Sequence, residues 1–343
     1  MVSYLAIILL VTWEQNYLLA LGIGTVTEVV LNIWISWYVE QKYPFLRQRR
    51  KEKSTSSLTK RIVRDLKSLF ISRISEKMLY CTDNLIISGF IGVGTVGRYA
   101  NYCMITQAIS NILTILANTI QPTVGDYFTE KNRQRNYEIL RQLTFGFFCI
   151  ASVVSVGLFS LITPFVRDIW LGPSYELGWG ITVFCIVVLL VRIMGLPLSL
   201  VMGVTGLFEK EKNVGASSAL LNLIVSLALV KPYGMAGVLL GTLLSYLLQI
   251  LYRYIIYFRD FLEMPGEALR YAQDIGEYLA VIAGEVLLMQ KIVPLIYGAG
   301  GMLLFCVCFL LCIAIPLLLD LVIFGRGWRL QSIVTMVKGM RKA

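Results

Sequence analysis

The sequence predicts an all-α fold, a polytopic bundle of transmembrane helices, on three observations. Hydrophobic residues make up 57% of the chain and charged ones 15%, with a mean hydropathy of +0.71, a balance too apolar for a water-soluble fold. Apolar stretches of the length that crosses a hydrocarbon core, about 20 residues, recur between polar clusters along the chain. The net charge of +10 is concentrated in alternate connections between those stretches.

Taken in order, full-length spans are predicted at 17–39, 69–91, 96–121, 143–165, 180–204, 213–231, 235–257, 276–293 and 300–324. A shorter apolar piece, Tyr4 to Trp13, precedes them, and Met1 opens into it without the charged start and cleavage site of a signal peptide. Gly92 to Gly97 and Lys231 to Gly234 read as tight turn-rich links. Pro164 to Trp179 reads as a longer loop, with Trp170, Tyr175 and Trp179 as interfacial anchors. Leu58, Ile62, Leu66 and Leu69 alternate with basic residues. That pattern suits either a short helix on an anionic leaflet or an ordinary solvated loop.

Lys42 to Lys67 holds ten basic residues in one connection, and Lys131, Arg133, Arg135 and Arg141 fill the next but one. Lys210, Lys212, Arg259, Arg270 and the C-terminal cluster from Arg326 to Lys342 continue on that side, whereas the other connections offer little beyond Arg98, Arg167, Lys231 and Lys291. The positive-inside rule puts the basic loops and the C-terminus in the cytoplasm. No basic stripe interleaved with aromatics lies outside the spans, so the charge argues against nucleic acid as a partner.

The chain has no histidine, and its seven cysteines, at 81, 103, 149, 185, 306, 308 and 312, fall within apolar segments without a CxxC pair. Zinc sites, disulfide frameworks and histidine acid-base catalysis are thereby disfavoured, and no Walker loop is present. The expectation is a protein that is not an enzyme and has no cofactor, metal or catalytic residue.

What chemistry there is lies in polar residues within spans, because an ionisable group near a bilayer centre costs about 2.5 to 3.5 kcal/mol on insertion scales and tends to face a bundle interior or watery cavity. At helical spacing Arg73, Lys77, Tyr80, Asn84 and Ser88 share one face of the 69–91 span, with Glu76 and Asp83 adjoining. Arg73 and Lys77 either pair internally and snorkel or serve a pathway; Asp83 lies deeper and favours the pathway. In the next span Gln107, Asn111, Thr114, Asn118 and Gln121 form a stripe. Amides both donate and accept, which suits a hydroxyl-rich ligand as well as it suits interhelical bonding. Thr25, Glu28, Asn32 and Ser36 make a comparable stripe, with Glu28 either a proton or cation carrier or an ion-pair partner. Arg192 sits mid-span, and its guanidinium suits a phosphate or pyrophosphate, or a carboxylate such as Asp83 or Glu28. Pro122 and Pro197 are candidate kinks or ends, and Gly237 with Gly241 makes a GxxxG pair that permits close helix packing.

Several strings together carry a resemblance. Lys42-Tyr43-Pro44-Phe45-Leu46, Cys81-Thr82-Asp83-Asn84-Leu85-Ile86-Ile87-Ser88, Val96-Gly97-Arg98-Tyr99-Ala100-Asn101-Tyr102, Gly206-Leu207-Phe208 and Tyr233-Gly234-Met235-Ala236-Gly237-Val238 occur in this order. So arranged, the chain resembles the polysaccharide-transporter family, the Wzx-like O-antigen and capsule flippases, which share a superfamily with the MATE exporters and the lipid II flippase. The resemblance implies a MATE-like bundle of two six-helix lobes around a cavity, in the bacterial inner membrane. On that mapping residues 1–39 hold the last spans of the N-terminal lobe and 40–68 a basic cytoplasmic loop. Residues 69–257 form the C-terminal six-helix lobe, and 258–343 add two spans and a basic cytoplasmic tail. Most of the N-terminal lobe is then missing, as in a fragment, a late-started gene product or a decayed gene.

The resemblance further implies movement of undecaprenyl-pyrophosphate-linked oligosaccharide across the membrane by alternating access. Arg192 with Arg73 and Lys77 would hold the pyrophosphate, Asn84 would join them on the same face, and Gln107, Asn111 and Asn118 would meet sugar hydroxyls. Glu28 or Asp83 would couple the cycle to an ion. The expected partners are the lipid-linked oligosaccharide, membrane lipids, and a glycan polymerase or glycosyltransferases. Two other readings stay open: a MATE-like exporter of organic cations, and a non-transporting scaffold for glycan assembly.

Overall fold

The computed structural model describes residues 17–43, 63, 66, 70, 81–128, 132–298 and 300–325, with backbone alone at 17, 18, 20, 21 and 208–213. The predicted piece Tyr4 to Trp13, most of the basic connection, Arg73 and Lys77, and the basic C-terminal cluster lie outside the described residues. The chain divides into two compact units, Met1–Ile62 and Val63–Ala343.

In the first unit, helix α1 spans Tyr17–Lys42 and places Lys42 in its last turn, where a cation meets the negative end of the helix dipole. Val26, Val29, Ile33, Ile35 and Trp37 are exposed, and Trp34 stacks on Tyr38 at 6.0 Å. A helix apolar on so much of its surface suits lipid rather than water.

The described residues of the second unit form helices joined by short connections. Helix α2 covers 81–90 and ends where Gly92, at φ 126°, lets its N–H donate to the Ile87 carbonyl at 3.0 Å. Helix α3, Val93–Tyr127, starts at once, so the predicted turn from Gly92 to Gly97 contracts to one glycine. The helix also runs on through Pro122 rather than ending there. Helix α4, Arg133–Pro164, begins at Asn132, whose side chain accepts from the Arg135 N–H at 3.0 Å and so caps one free donor. The predicted loop after it is half-occupied by helical turns at Phe165–Trp170 and Pro173–Tyr175.

Helix α5 spans Trp179–Val204, α6 Phe208–Tyr233 and α7 Met235–Ile255, the last continuing as a π-helical turn, Ile256–Leu262. Gly234, at φ 56°, alone makes the α6–α7 turn, a conformation that costs glycine little. Helix α8, Pro265–Tyr297, starts on a proline whose missing N–H is not needed at a first helical position, and α9 spans Met302–Phe324. Seven of these helices, α3 to α9, are long and apolar enough to cross a membrane. The protein is thus an all-α, multi-pass membrane bundle.

Helix α5 packs against α3, α4 and α7; α4 in turn carries α8 and α9; and α6 and α7 form an intimate hairpin. That last approach rests on the GxxxG pair: a side chain at Gly237 would strike the Leu229 carbonyl, and one at Gly241 would strike the Ser226 hydroxyl. Two apolar cores result. One joins α4, α5, α8 and α9 through Phe145, Phe148, Leu189, Met289 and Phe324. The other, built on Ile87, Tyr102, Ile186, Val238 and Leu239, lies beside the polar residues of α2.

Candidate functional site

Helix α2 turns Asp83, Ile86 and Ile87 inward, at spacings of three and four, and leaves Asn84 and Leu85 exposed. Asp83 is 4% exposed although it carries a carboxyl. Its partner comes from far along the chain: the Thr242 hydroxyl on α7 donates to Asp83 Oδ2 at 2.7 Å. Asn222 on α6 donates through Nδ2 to Thr242 Oγ1 at 2.9 Å, and Ser226, one turn on, donates to the Val238 carbonyl at 3.2 Å. Three helices therefore converge on one buried knot of oxygens. Asp83 Oδ1 and Asn222 Oδ1 have no hydrogen-bond partner among the described residues. Buried acceptors left without donors are costly.

The knot is made by a polar seam along the α6–α7 hairpin. Ser218, Asn222 and Ser226 recur every four residues on α6 and are all buried, facing Thr242 and Ser245 on α7. Gln249 extends it by donating to Ser218 Oγ at 2.9 Å. Hydroxyls and amides of this kind satisfy one another only where helices touch closely, which the two glycines of α7 permit. Tyr99, Cys103 and Cys185 stand within electrostatic reach of Asp83.

Cys103 also feels Arg192, so the guanidinium of α5 and the carboxyl of α2 flank the same stretch of α3. Arg192 is half-buried at the middle of α5; its Nη1 donates to Gln107 Oε1 at 3.4 Å, and its charge lies 5.4 Å from the centre of the Tyr246 ring. Gln107 donates onward through Nε2 to Asn111 Oδ1 at 2.8 Å. The structure thereby joins Arg192, Gln107 and Asn111 in one chain. Asn111 and Asn118 are exposed on the second unit, and Glu28 is exposed on α1 of the first. Arg73 and Lys77 fall outside the described residues.

Several buried polar groups had no part in the sequence-based site. Thr242, Asn222 and Ser226 are individually unremarkable in a helix, although the four-residue recurrence of polar residues on α6 was a signal of the same kind as the α3 stripe. Arg141, which by position in the sequence counts as a loop cation, belongs to α4 and grips Asp274 of α8 through Nε at 2.6 Å and Nη2 at 3.0 Å. Asp274, Glu285 and Asp320 are each buried carboxyls within spans and carry the same cost argument that singled out Asp83.

Fold and site together define a multi-pass helical membrane protein with a buried, oxygen-rich polar interior. Residues 1–128 match the model of a family described as polysaccharide biosynthesis protein. That match covers 128 of the 343 residues, among them Asp83, Gln107, Asn111 and three of the five strings that carry the resemblance. No curated protein matches the chain.

Proposed function

We propose that the chain serves the passage of undecaprenyl-pyrophosphate-linked oligosaccharide across the bacterial inner membrane, by alternating access, with its C-terminus in the cytoplasm. The observation that carries this reading is the pairing of a mid-span guanidinium with an amide chain in a helical bundle. Arg192 offers a permanent cation to a pyrophosphate, and Gln107 and Asn111, already linked to it, offer donors and acceptors to sugar hydroxyls. Asn118 continues that set two turns along α3, with Asn84, Arg73 and Lys77 as further substrate contacts.

The Asp83 knot supplies the ion-coupling element. A carboxylate oxygen and an amide oxygen left without donors, beside a threonine hydroxyl and the Val238 carbonyl, make an oxygen set suited to a hard cation. Glu28 is the alternative carrier. The test is surface glycan in cells whose only copy of the protein carries Arg192→Ala: glycan export should collapse while the protein stays in the membrane. Normal export would refute the pyrophosphate role.

A further inference from the structure

A second buried carboxyl pair lies away from the Asp83 knot. Glu285 on α8 is 3% exposed and Asp320 on α9 is 4% exposed. Both face α4, where the fully buried Ser152 hydroxyl donates to Glu285 Oε2 at 2.6 Å. Asp320 lies within electrostatic reach of Glu285 and close to the same hydroxyl, and Cys149, nearly one turn before Ser152, lies within electrostatic reach of both carboxyls. Glu285 Oε1 and both oxygens of Asp320 have no hydrogen-bond partner among the described residues. No described arginine or lysine pairs with either group, whereas Asp274, about three turns earlier on α8, is held bidentately by Arg141.

An aromatic plug packs beside this carboxyl pair. Phe148 stacks on Tyr278 at 4.4 Å, Phe324 meets Phe145 and Phe148 each at 5.5 Å and Tyr278 at 5.7 Å. By helical rise the plug lies about one turn from Ser152 on α4 and from Asp320 on α9, and about two turns from Glu285 on α8. Two like-charged carboxyls in so enclosed a space repel each other, and each ion costs several kcal/mol to bury even after relaxation. Bundles retain such a pair where a positive charge joins it.

We infer that Glu285, Asp320 and Ser152 form a binding site for one monovalent cation, a proton or Na⁺, in the interior shared by α4, α8 and α9. The donor set is two carboxyls and one hydroxyl. A divalent ion of the calcium type asks for six to eight oxygens, more than the five of this side-chain set. The Ser152 hydroxyl is committed to Glu285, so Asp320 presents the open face of the site, and the occupant bridges the two carboxyls. Tyr278 and Phe148, both buried, pack on one side of the site.

The test uses the full chain in lipid vesicles with Asp83→Asn as background, so that the first knot contributes no carboxyl, and needs neither substrate nor export. Two readouts are taken: binding of radioactive Na⁺, and the infrared band of a protonated carboxyl in Na⁺-free buffer. Sodium binding that disappears on adding Asp320→Asn or Glu285→Gln identifies Na⁺, and a protonated-carboxyl band that disappears with the same substitutions identifies a proton. Where those variants fail to fold, Ser152→Ala leaves both carboxyls in place and should weaken the binding or shift the band. Absence of both signals in the background chain, or signals that survive all three substitutions, overturns the site. Because export is not measured, this failure is distinct from failure of the transport reading.

Discussion

Replacing Thr242 by valine, a side chain of nearly the same shape without the hydroxyl, removes two hydrogen bonds at once. One is the 2.7 Å bond to Asp83 and the other the 2.9 Å bond from Asn222. In water a hydrogen bond to a charged group is worth about 1.5 to 3 kcal/mol and a neutral one about 1. Within a membrane bundle the unfolded reference state finds partners too, and measured values average about 0.6 with a maximum of about 1.7 kcal/mol. The pair of bonds therefore contributes about 1 to 3 kcal/mol. A loss of one or two kcal/mol is a factor of about 5 to 30 in the folded-to-unfolded ratio. Unfolding in mixed micelles, followed by circular dichroism against detergent composition, reads that loss, and Thr242→Ser should recover most of it. Wild-type stability for Thr242→Val, together with normal cation dependence, would refute the claim that Thr242 ties α7 to α2 through Asp83.

Arg141→Ala removes the bidentate partner of Asp274, which is 6% exposed, and should destabilise the α4–α8 contact by about 3 to 5 kcal/mol as breaking a buried pair does; the double substitution with Asp274→Ala should be milder than Arg141→Ala alone in the same unfolding assay. Gly237→Val should prevent the α6–α7 hairpin from closing, because backbone rather than a flexible side chain opposes the added atoms, and reduced yield of folded protein is the measurement. Phe148→Ala, which empties the centre of the aromatic plug, should cost about 3 kcal/mol or more and allow exchange of buried amides on α9, read by hydrogen exchange. Asn84→Ala, at an exposed position of α2, should leave stability within about 0.5 kcal/mol of wild type, so any change in glycan export it produces reflects contact with substrate.

Much of the fold was legible because its signals are local. A hydropathic stretch such as 300–324 satisfies its own backbone within one helix, and the observed α9 begins and ends within two residues of it. The GxxxG pair was legible for the same reason, since glycines four positions apart lie on one face. Helix ends were less so. Pro122 reads as a kink or an end, and α3 passes through it, because neighbouring packing rather than the proline's missing N–H decides the end. Arg141 reads as a loop cation, yet Asp274 draws it into α4 from 133 residues away.

Asp83 stood out in the sequence because a carboxyl in an apolar span is expensive wherever the span sits. Its partner did not stand out: Thr242 lies 159 residues further on, and a threonine in a helix is ordinary until something faces it. The sequence by itself determined the class of fold and singled out Asp83 as a group to be sheltered, since burial cost and backbone hydrogen bonding act within a single helix. Only the tertiary structure decided which polar groups meet. It set Thr242 and Asn222 on Asp83, Ser152 on Glu285 near Asp320, and Arg192 on Gln107. Those choices depend on how each helix is rotated about its axis and where it crosses its neighbours, and side-chain packing across the whole bundle sets both.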